Sequence, residues 1–304
     1  MAQTIGTHVA DVPRPNPARR VVTASTGTLR ALARNKAGFA GFLGVVFFVL
    51  LAFIGPLVTP SRLEPDMLKI YQPPSWEHPF GTDYEGRDVF IQVVRGGRSI
   101  MLVGLMAAAL ATLISITFGA LAAYLGGWVD AVITMVTDMI LTIPQLPLLA
   151  VLAAFVKLDR TWLLAVLIAL LAWPTLLRAV RAQVLSLKER DYIEAARALD
   201  LGTPRILFAE ILPNMASYIV MNFTIGMTTA IYAQIGLYFL GLAPLGGENW
   251  GIMLNLAWVR GAIFFQDSLM YILAPVLAIS LLQLSMVTMT RSLEDIFNPR
   301  LRGN

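Results

Sequence analysis

Residues 99–125 read Ser-Ile-Met-Leu-Val-Gly-Leu-Met-Ala-Ala-Ala-Leu-Ala-Thr-Leu-Ile-Ser-Ile-Thr-Phe-Gly-Ala-Leu-Ala-Ala-Tyr-Leu, 27 positions without one charged side chain. A helix rises about 1.5 Å per residue, so this stretch exceeds the roughly 30 Å of hydrocarbon in a bilayer. An apolar run of that length reads as a membrane span. Five further stretches meet or approach the same length: Ala37–Thr59, Val129–Val156, Trp162–Ala179, Ser217–Gly241 and Leu269–Met289. The third in chain order, Val129–Val156, holds Asp130, Asp138, Pro144 and Pro147. Pro removes a backbone donor, so that span is expected to bend.

Composition agrees with the spans. Hydrophobic residues make up 57% and charged residues 14%, against about 25% charged in soluble domains. The net charge of +4 is too small to argue for nucleic-acid binding. With no Cys, disulfides, thiolate metal sites and Cys nucleophiles are excluded. The two His, His8 and His78, lie in different segments and form no metal-ligand pair. Met1–Lys36 is polar and lacks the apolar core of a secretory signal, so the first span reads as an uncleaved anchor.

These features predict an all-α membrane protein with six transmembrane helices. Residues 1–36 are expected to be a mostly disordered cytoplasmic tail, and 37–98 an anchor helix with an outer loop over Pro60–Arg98. Residues 99–292 would form the transmembrane core, and 293–304 a C-terminal cytoplasmic tail. Of the 23 Lys and Arg, 15 fall in the tails, the Gly126–Trp128 turn and the Arg178–Met215 connection, and 8 fall on the other side. The positive-inside rule then puts both termini in the cytoplasm. Arg87, Arg95 and Arg98 run against it on the outer side.

The connection between the fourth and fifth spans reads Leu187-Lys-Glu-Arg-Asp-Tyr-Ile-Glu-Ala-Ala-Arg-Ala-Leu-Asp-Leu-Gly-Thr-Pro-Arg-Ile-Leu-Phe-Ala-Glu-Ile-Leu-Pro213. Tyr192, Ala195, Ala196 and Leu199 share one helical face. Thr203 suits an N-cap and Pro204 a first helical position. Two short helices are therefore expected, joined by a turn at Asp200-Leu201-Gly202, with the second running over about 204–212. Small Ala195 and Ala196 let a partner surface approach closely, as when a helix enters a groove. The alternative is an amphipathic helix lying on the membrane.

Glu194-Ala195-Ala196, the turn, and Ile211-Leu212-Pro213 resemble the "EAA" loop of ABC-importer permeases. That resemblance implies coupling helices that dock on an ATP-binding subunit, through Tyr192, Glu194, Ala195, Ala196, Leu199, Asp200, Gly202, Ile211, Leu212 and Pro213. Two positions depart from the pattern: Asp200 stands where a Gly is usual, and Glu210 where an Ile is usual. Asp tolerates left-handed backbone, so the turn is expected to survive.

His78-Pro79-Phe80-Gly81-Thr82-Asp83-Tyr84-Glu85-Gly86-Arg87-Asp88, followed by Gly96-Gly97-Arg98-Ser99, resembles a segment of dipeptide/oligopeptide/nickel permeases, specifically the second (C-type) subunit. Leu32–Lys36, Trp250-Gly251-Ile252-Met253-Leu254 and Asn298-Pro299-Arg300-Leu301-Arg302 match that group too. Near the C-terminus the chain has Thr290–Asp295 in place of the usual acidic motif, and Asn298 in place of an Asp. The resemblance implies a bacterial or archaeal cell-membrane complex. Its members would be a second homologous permease, two ATP-binding subunits that hold ATP and Mg, and an extracytoplasmic solute-binding protein. The implied cargo is di- or oligopeptides, with oligosaccharides or nickel complexes as alternatives.

The chain has no G-x-x-x-x-G-K-[ST], so it carries no phosphate-cradling loop and no cofactor of its own is expected. Energy must come from a partner or an ion gradient. An ion-coupled secondary transporter needs a charged residue at membrane depth, and Asp138 is the candidate. A non-transporting scaffold would leave the outer-loop motif and the polar fifth span unexplained. On the fifth span Asn222, Thr229, Tyr232 and Gln234 could line a translocation path, and interhelical hydrogen bonding is the competing reading. Glu248, Asn249 and Trp250 could meet the binding protein, or could serve loop packing.

Overall fold

A computed structural model describes residues 35–60, 63–156, 158, 160–243 and 247–297. The N-terminal tail up to Arg34, Arg62, Lys157 and the Asn298–Arg302 motif lie outside the described residues. The described residues contain no β-strand, only one isolated antiparallel bridge between Thr82 and Asp88.

The first helix, α1 (Lys36–Val58), starts where the Asn35 side chain accepts from the amides of Ala37 and Gly38. It lies at the edge of the bundle against the last helix, α10 (Leu269–Phe297), and against α2 (Val89–Leu125). Small residues make the contact with α10. A Cβ on Gly41 would stand 2.3 Å from Thr288 Oγ1, and one on Gly44 2.1 Å from Ser285 Oγ. Such close backbone approach replaces the hydrophobic drive that lipid removes.

The span first expected at Ser99 begins ten residues earlier, at Val89. Arg95 and Arg98 made that stretch look like loop. Asp88 starts the helix by accepting the Ile91 amide at 2.9 Å. At 37 residues α2 is about 55 Å long, well beyond the thickness of the hydrocarbon. Two of the three arginines that run against the positive-inside rule are paired at this end. Arg95 pairs with Glu248 at 3.1 Å and donates to the Pro60 carbonyl, while Arg87 pairs with Asp83 and Glu85.

The third stretch breaks into α3 (Gly127–Leu141) and α4 (Gln145–Phe155), set at 85° to each other. Pro144 has no amide to donate, and its own ψ of 124° leaves helical backbone between the two helices. Pro147 sits in the first turn of α4, where its missing amide costs nothing. The fourth span, α5 (Thr161–Lys188), runs nine residues beyond Ala179, so Arg178 and Arg181 belong to the helix and not to a loop. It makes the closest pairing in the bundle, with α2, where Ser115 donates to the Trp173 carbonyl at 2.9 Å.

Next come α6 (Asp191–Ala198), α7 (Thr203–Asn214), α8 (Ala216–Phe239) and the short α9 (Trp250–Val259). Helices α1, α2, α5 and residues 266–294 are each long and apolar enough to cross a membrane. The bent pairs α3–α4 and α7–α8 reach that measure jointly, giving up to six crossings. The boundaries expected at 98/99 and 292/293 both fall inside helices, α2 and α10.

Candidate functional site

Helices α6 and α7 cap one end of the bundle, beside the C-terminal ends of α2 and α5. Ile193, Ala196, Ile206, Leu207, Ile211 and Met215 are buried with Ala120, Ala123, Val180 and Val184 in one apolar cluster. Lys188 Nζ donates to the Ala123 carbonyl at 3.0 Å, satisfying the end of α2. The Arg197 guanidinium lies 5.6 Å from the centre of the Tyr124 ring. The pair α6–α7 is thus fixed to the two longest-packed helices of the bundle.

This burial pattern corrects the expected face. Ala196 and Ile211 are buried, and Leu212 is half-buried, so these three anchor the segment from below. Tyr192, Glu194, Ala195, Asp200, Gly202 and Pro213 are exposed, and Leu199 is 74% exposed. An eight-residue helix offers two apolar registers, 192/195/199 and 193/196. The buried one is set by Ile193, which the sequence reading passed over. Phe208 was also missed. It is 71% exposed on α7, a large apolar side chain left bare among the described residues.

The turn keeps its form despite the missing Gly. Asp200 has φ +53°, a left-handed residue, and the Leu201 amide returns to the Ala196 carbonyl at 3.1 Å. That six-to-one bond closes a Schellman cap. Thr203 is inside α7 and Gly202 is its cap, with no side-chain bond. The middle of α7, Ile206–Ile211, is wound as a π-helix, in which the Leu212 amide reaches back to Leu207 O. Pro213, which has no amide for the regular ladder, follows directly. The helix closes at Asn214, whose Nδ2 donates to Glu210 O at 2.6 Å, and turns by 71° into α8.

At the opposite end, the 78–88 motif builds a compact loop over the start of α2. Asp83 is fully buried and accepts four bonds: from the amides of Glu85 and Arg87, from Arg87 Nε at 2.9 Å and from Gln92 Nε2 at 2.8 Å. His78 Nδ1 meets Asp88 Oδ2 at 2.8 Å. Gly86 has φ +74°, and a Cβ there would collide with the Asp66 carbonyl at 1.9 Å. The loop is clasped to the 260–265 segment by Tyr71 stacked on Phe265 and by Arg260 over the Tyr84 ring. On its rim, the hydrogen bond from Lys69 holds the Glu77 carboxyl below the usual range, and Glu77 raises Lys69 in return.

Of the three residues expected to meet a binding protein, two are used up by packing. Trp250 is fully buried, with its indole N–H on Val93 O. Asn249 is buried as the cap of α9, accepting from Gly251 N and donating to Ser99 Oγ. Glu248 remains at the surface, on the edge of a cleft of about 720 Å³ that Glu64, Glu85, Arg87 and Leu256 also line.

On α8 the polar residues divide. Asn222, Thr229 and Tyr232 follow one stripe, where Thr229 is exposed and Tyr232 about half exposed. Gln234 points elsewhere and is fully buried. Asp138 is not a lone carboxylate: Arg178 Nη2 lies 2.5 Å from its Oδ1.

Residues 115–303 match the family model described as binding-protein-dependent transport system inner membrane component, and residues 26–74 match the N-terminal TM domain of oligopeptide transport permease C. The chain is 35% identical to a provisionally named peptide permease protein of Brucella suis, over 93% of this chain and 95% of the relative. It is 33% identical to the dipeptide transport system permease protein DppC of Alkalihalophilus pseudofirmus, over 99% of this chain and 98% of the relative. The oligopeptide transport system permease protein OppC of Mycobacterium tuberculosis is 33% identical, over 71% of this chain and 75% of that one.

Proposed function

Since the chain belongs to the family of binding-protein-dependent transport system inner membrane components, we propose that it is the C-type permease subunit of an ATP-driven importer of di- or oligopeptides. The names of its relatives favour peptides over oligosaccharides or nickel complexes. In this reading both termini are cytoplasmic, and α6–α7 faces two ATP-binding subunits that hold ATP and Mg. A second homologous permease completes the membrane path, and a solute-binding protein delivers cargo from outside.

The single observation that carries the reading is the two-sided construction of α6–α7. Its lower face is locked into the bundle by Ile193, Ala196 and Ile211, while Tyr192, Ala195, Leu199 and Phe208 stand uncovered. A large apolar patch beside charged residues marks an interaction site. A helix lying on the membrane would turn the same patch to lipid. The exposed charges of α6 and its cap are mixed in sign, Arg190, Asp191, Glu194 and Arg197, which suits a protein groove better than an anionic bilayer. An ion-coupled mechanism is disfavoured because Asp130 and Asp138 are each paired with an arginine.

Mechanistically, nucleotide closure of the ATP-binding subunits displaces α6–α7. The displacement passes through the shared apolar cluster to α2 and α5, and through the bend at Met215 to α8. ATP drives the cycle only as far as it binds one state of the complex more tightly than the other. The test is reconstitution of the chain with its neighbouring permease and ATP-binding subunits. Peptide-loaded binding protein should stimulate ATP hydrolysis and uptake. A complex that assembles but hydrolyses ATP at the same rate with and without loaded binding protein would overturn the proposal.

A further inference from the structure

The α3 span is polar along one line. Asp130, Thr134, Asp138 and Thr142 recur at every fourth residue, so they stand one above another on one side of the helix. Across from them α5 carries Arg178 and Arg181. Arg181 grips Asp130 with two bonds, Nε to Oδ1 at 2.6 Å and Nη2 to Oδ2 at 2.5 Å, and Arg178 meets Asp138 at 2.5 Å. Thr134 donates to the same Asp130 oxygen at 3.3 Å. A cleft of about 700 Å³ runs along this line, lined by Asp130, Thr134, Asp138, Thr142 and Arg181, with Met135 and Met139 between them.

The exposure of these groups decides what the face meets. They sit within segments of membrane-span length, yet the side chains of Asp138 and Arg178 are 51% and 54% exposed. Charged side chains at membrane depth face the protein interior or a water-filled cavity, because hydrocarbon cannot solvate them. Being half exposed, these are not interior to this chain, and the face they share turns to water or to the second permease. A simple staple between α3 and α5 accounts for the ion pairs and for Thr134, and Thr142 donates to the Met139 carbonyl, but neither accounts for the cleft beside them.

A second polar line approaches the first. On α8, Asn222, Thr229 and Tyr232 run from the α7 end of the helix toward Gly236. Just past the α3–α4 bend, Leu146 Cδ2 would lie 3.8 Å from a Cβ on Gly236. Helix α4, which follows the first line past the bend, meets α8 near the end of the second.

We infer that the Asp130–Thr134–Asp138–Thr142 line, with Arg178 and Arg181, walls the aqueous route through the α6–α7 half of the bundle and takes zwitterionic cargo. This rests on the peptide-importer reading. A peptide carboxylate can replace Asp138 at Arg178, and its ammonium can replace Arg181 at Asp130. Because each fixed charge already has its opposite, the wall has no net charge and traps neither end. Weak contacts repeated along a path let a solute enter and also leave.

This chain has no Cys, so label is read on its own band after the subunits are separated. Thr134→Cys and Thr142→Cys leave both ion pairs in place, and Phe47→Cys puts a control on the outer surface of α1. The assembled complex in proteoliposomes is treated with the membrane-impermeant cation 2-(trimethylammonio)ethyl methanethiosulfonate, without nucleotide and with Mg-ATP plus vanadate. Water-accessible thiols ionise and react, so both variants should label at least about tenfold faster than Phe47→Cys. Their rates should also differ between the two nucleotide conditions. Labelling at the control rate, or fast labelling indifferent to nucleotide, overturns the inference. Peptide-stimulated ATP hydrolysis is read on the same samples. If it is intact while labelling is slow, the wall alone is wrong; if the unsubstituted complex lacks it, the importer reading fails and the cargo assignment goes with it.

Discussion

Trp250 donates its indole N–H to the Val93 carbonyl at 2.7 Å, and its ring closes over Gly96 and Gly97 on α2. A Cβ on Gly96 would stand 2.8 Å from Trp250 Cδ1. The large ring and the two absent side chains form one interlock between α9 and α2. Trp250→Ala should cost about 3–5 kcal/mol through the cavity it leaves. Gly96→Val should cost about 1–3 kcal/mol through overpacking. Thermal or denaturant unfolding in detergent measures both, and two near-wild-type transitions would contradict the interlock.

Asp83 has four donors pointed at it, and Asn can offer only one accepting oxygen. Asp83→Asn should turn an amide against Arg87 Nε and Gln92 Nε2, leaving a part-buried guanidinium short of its closest partner. Removing one member of such a pair costs about 3 kcal/mol or more, near a hundredfold in local opening. Limited proteolysis within 63–88 should quicken by about that factor at low protease, where opening and closing are fast relative to cleavage. An unchanged cleavage rate would show that the loop does not depend on this hub.

Asp200 occupies a left-handed backbone position that favours glycine. Asp200→Gly should stabilise the chain by up to about 1 kcal/mol, and Asp200→Val should destabilise it by about 1–2 kcal/mol. Unfolding midpoints read the sign directly. Asp200→Gly should leave nucleotide-driven uptake intact, since the turn keeps its course.

Phe208 and Ala196 lie on opposite sides of the same segment, so their substitutions should fail differently. Phe208→Ala removes an exposed side chain. It should leave the isolated chain's stability within about 0.5 kcal/mol, while weakening capture of the ATP-binding subunits by about 2 kcal/mol or more if Phe208 anchors the contact. Ala196→Trp should instead disrupt the cluster of Ile193, Ile206 and Ile211, and lower the yield of folded chain. Co-purification and unfolding, run on both variants, separate the two effects. Equal loss of assembly and of stability in both would refute the two-sided construction.

Much of the fold was legible in the sequence because hydrocarbon imposes one demand, length of apolar run, that composition reports directly. Helix ends were less legible. Arg95 and Arg98 signal loop locally, but α2 extends through them because it is longer than the membrane is thick. The left-handed turn at Asp200 could be foreseen from the chemistry of one residue. The burial of Trp250 could not, because the glycines that make room for it lie some 150 positions away in the chain. The face of α6 was misread because eight residues are too few for periodicity to choose between registers. Phe208 gave no local signal, since an apolar residue on a short helix looks the same whether covered or bare.

The bend between α7 and α8 has a mechanical consequence. Met215 is buried at the corner, like a pivot held in a bearing. One arm of this bell crank is Thr203–Asn214 and the other is Ala216–Phe239, about 18 Å and 36 Å long. Rotation about the corner moves the tip of the long arm roughly twice as far as the tip of the short one. A push of a few ångströms near Thr203 would thus reach the far end of α8 doubled and turned through the 71° of the bend.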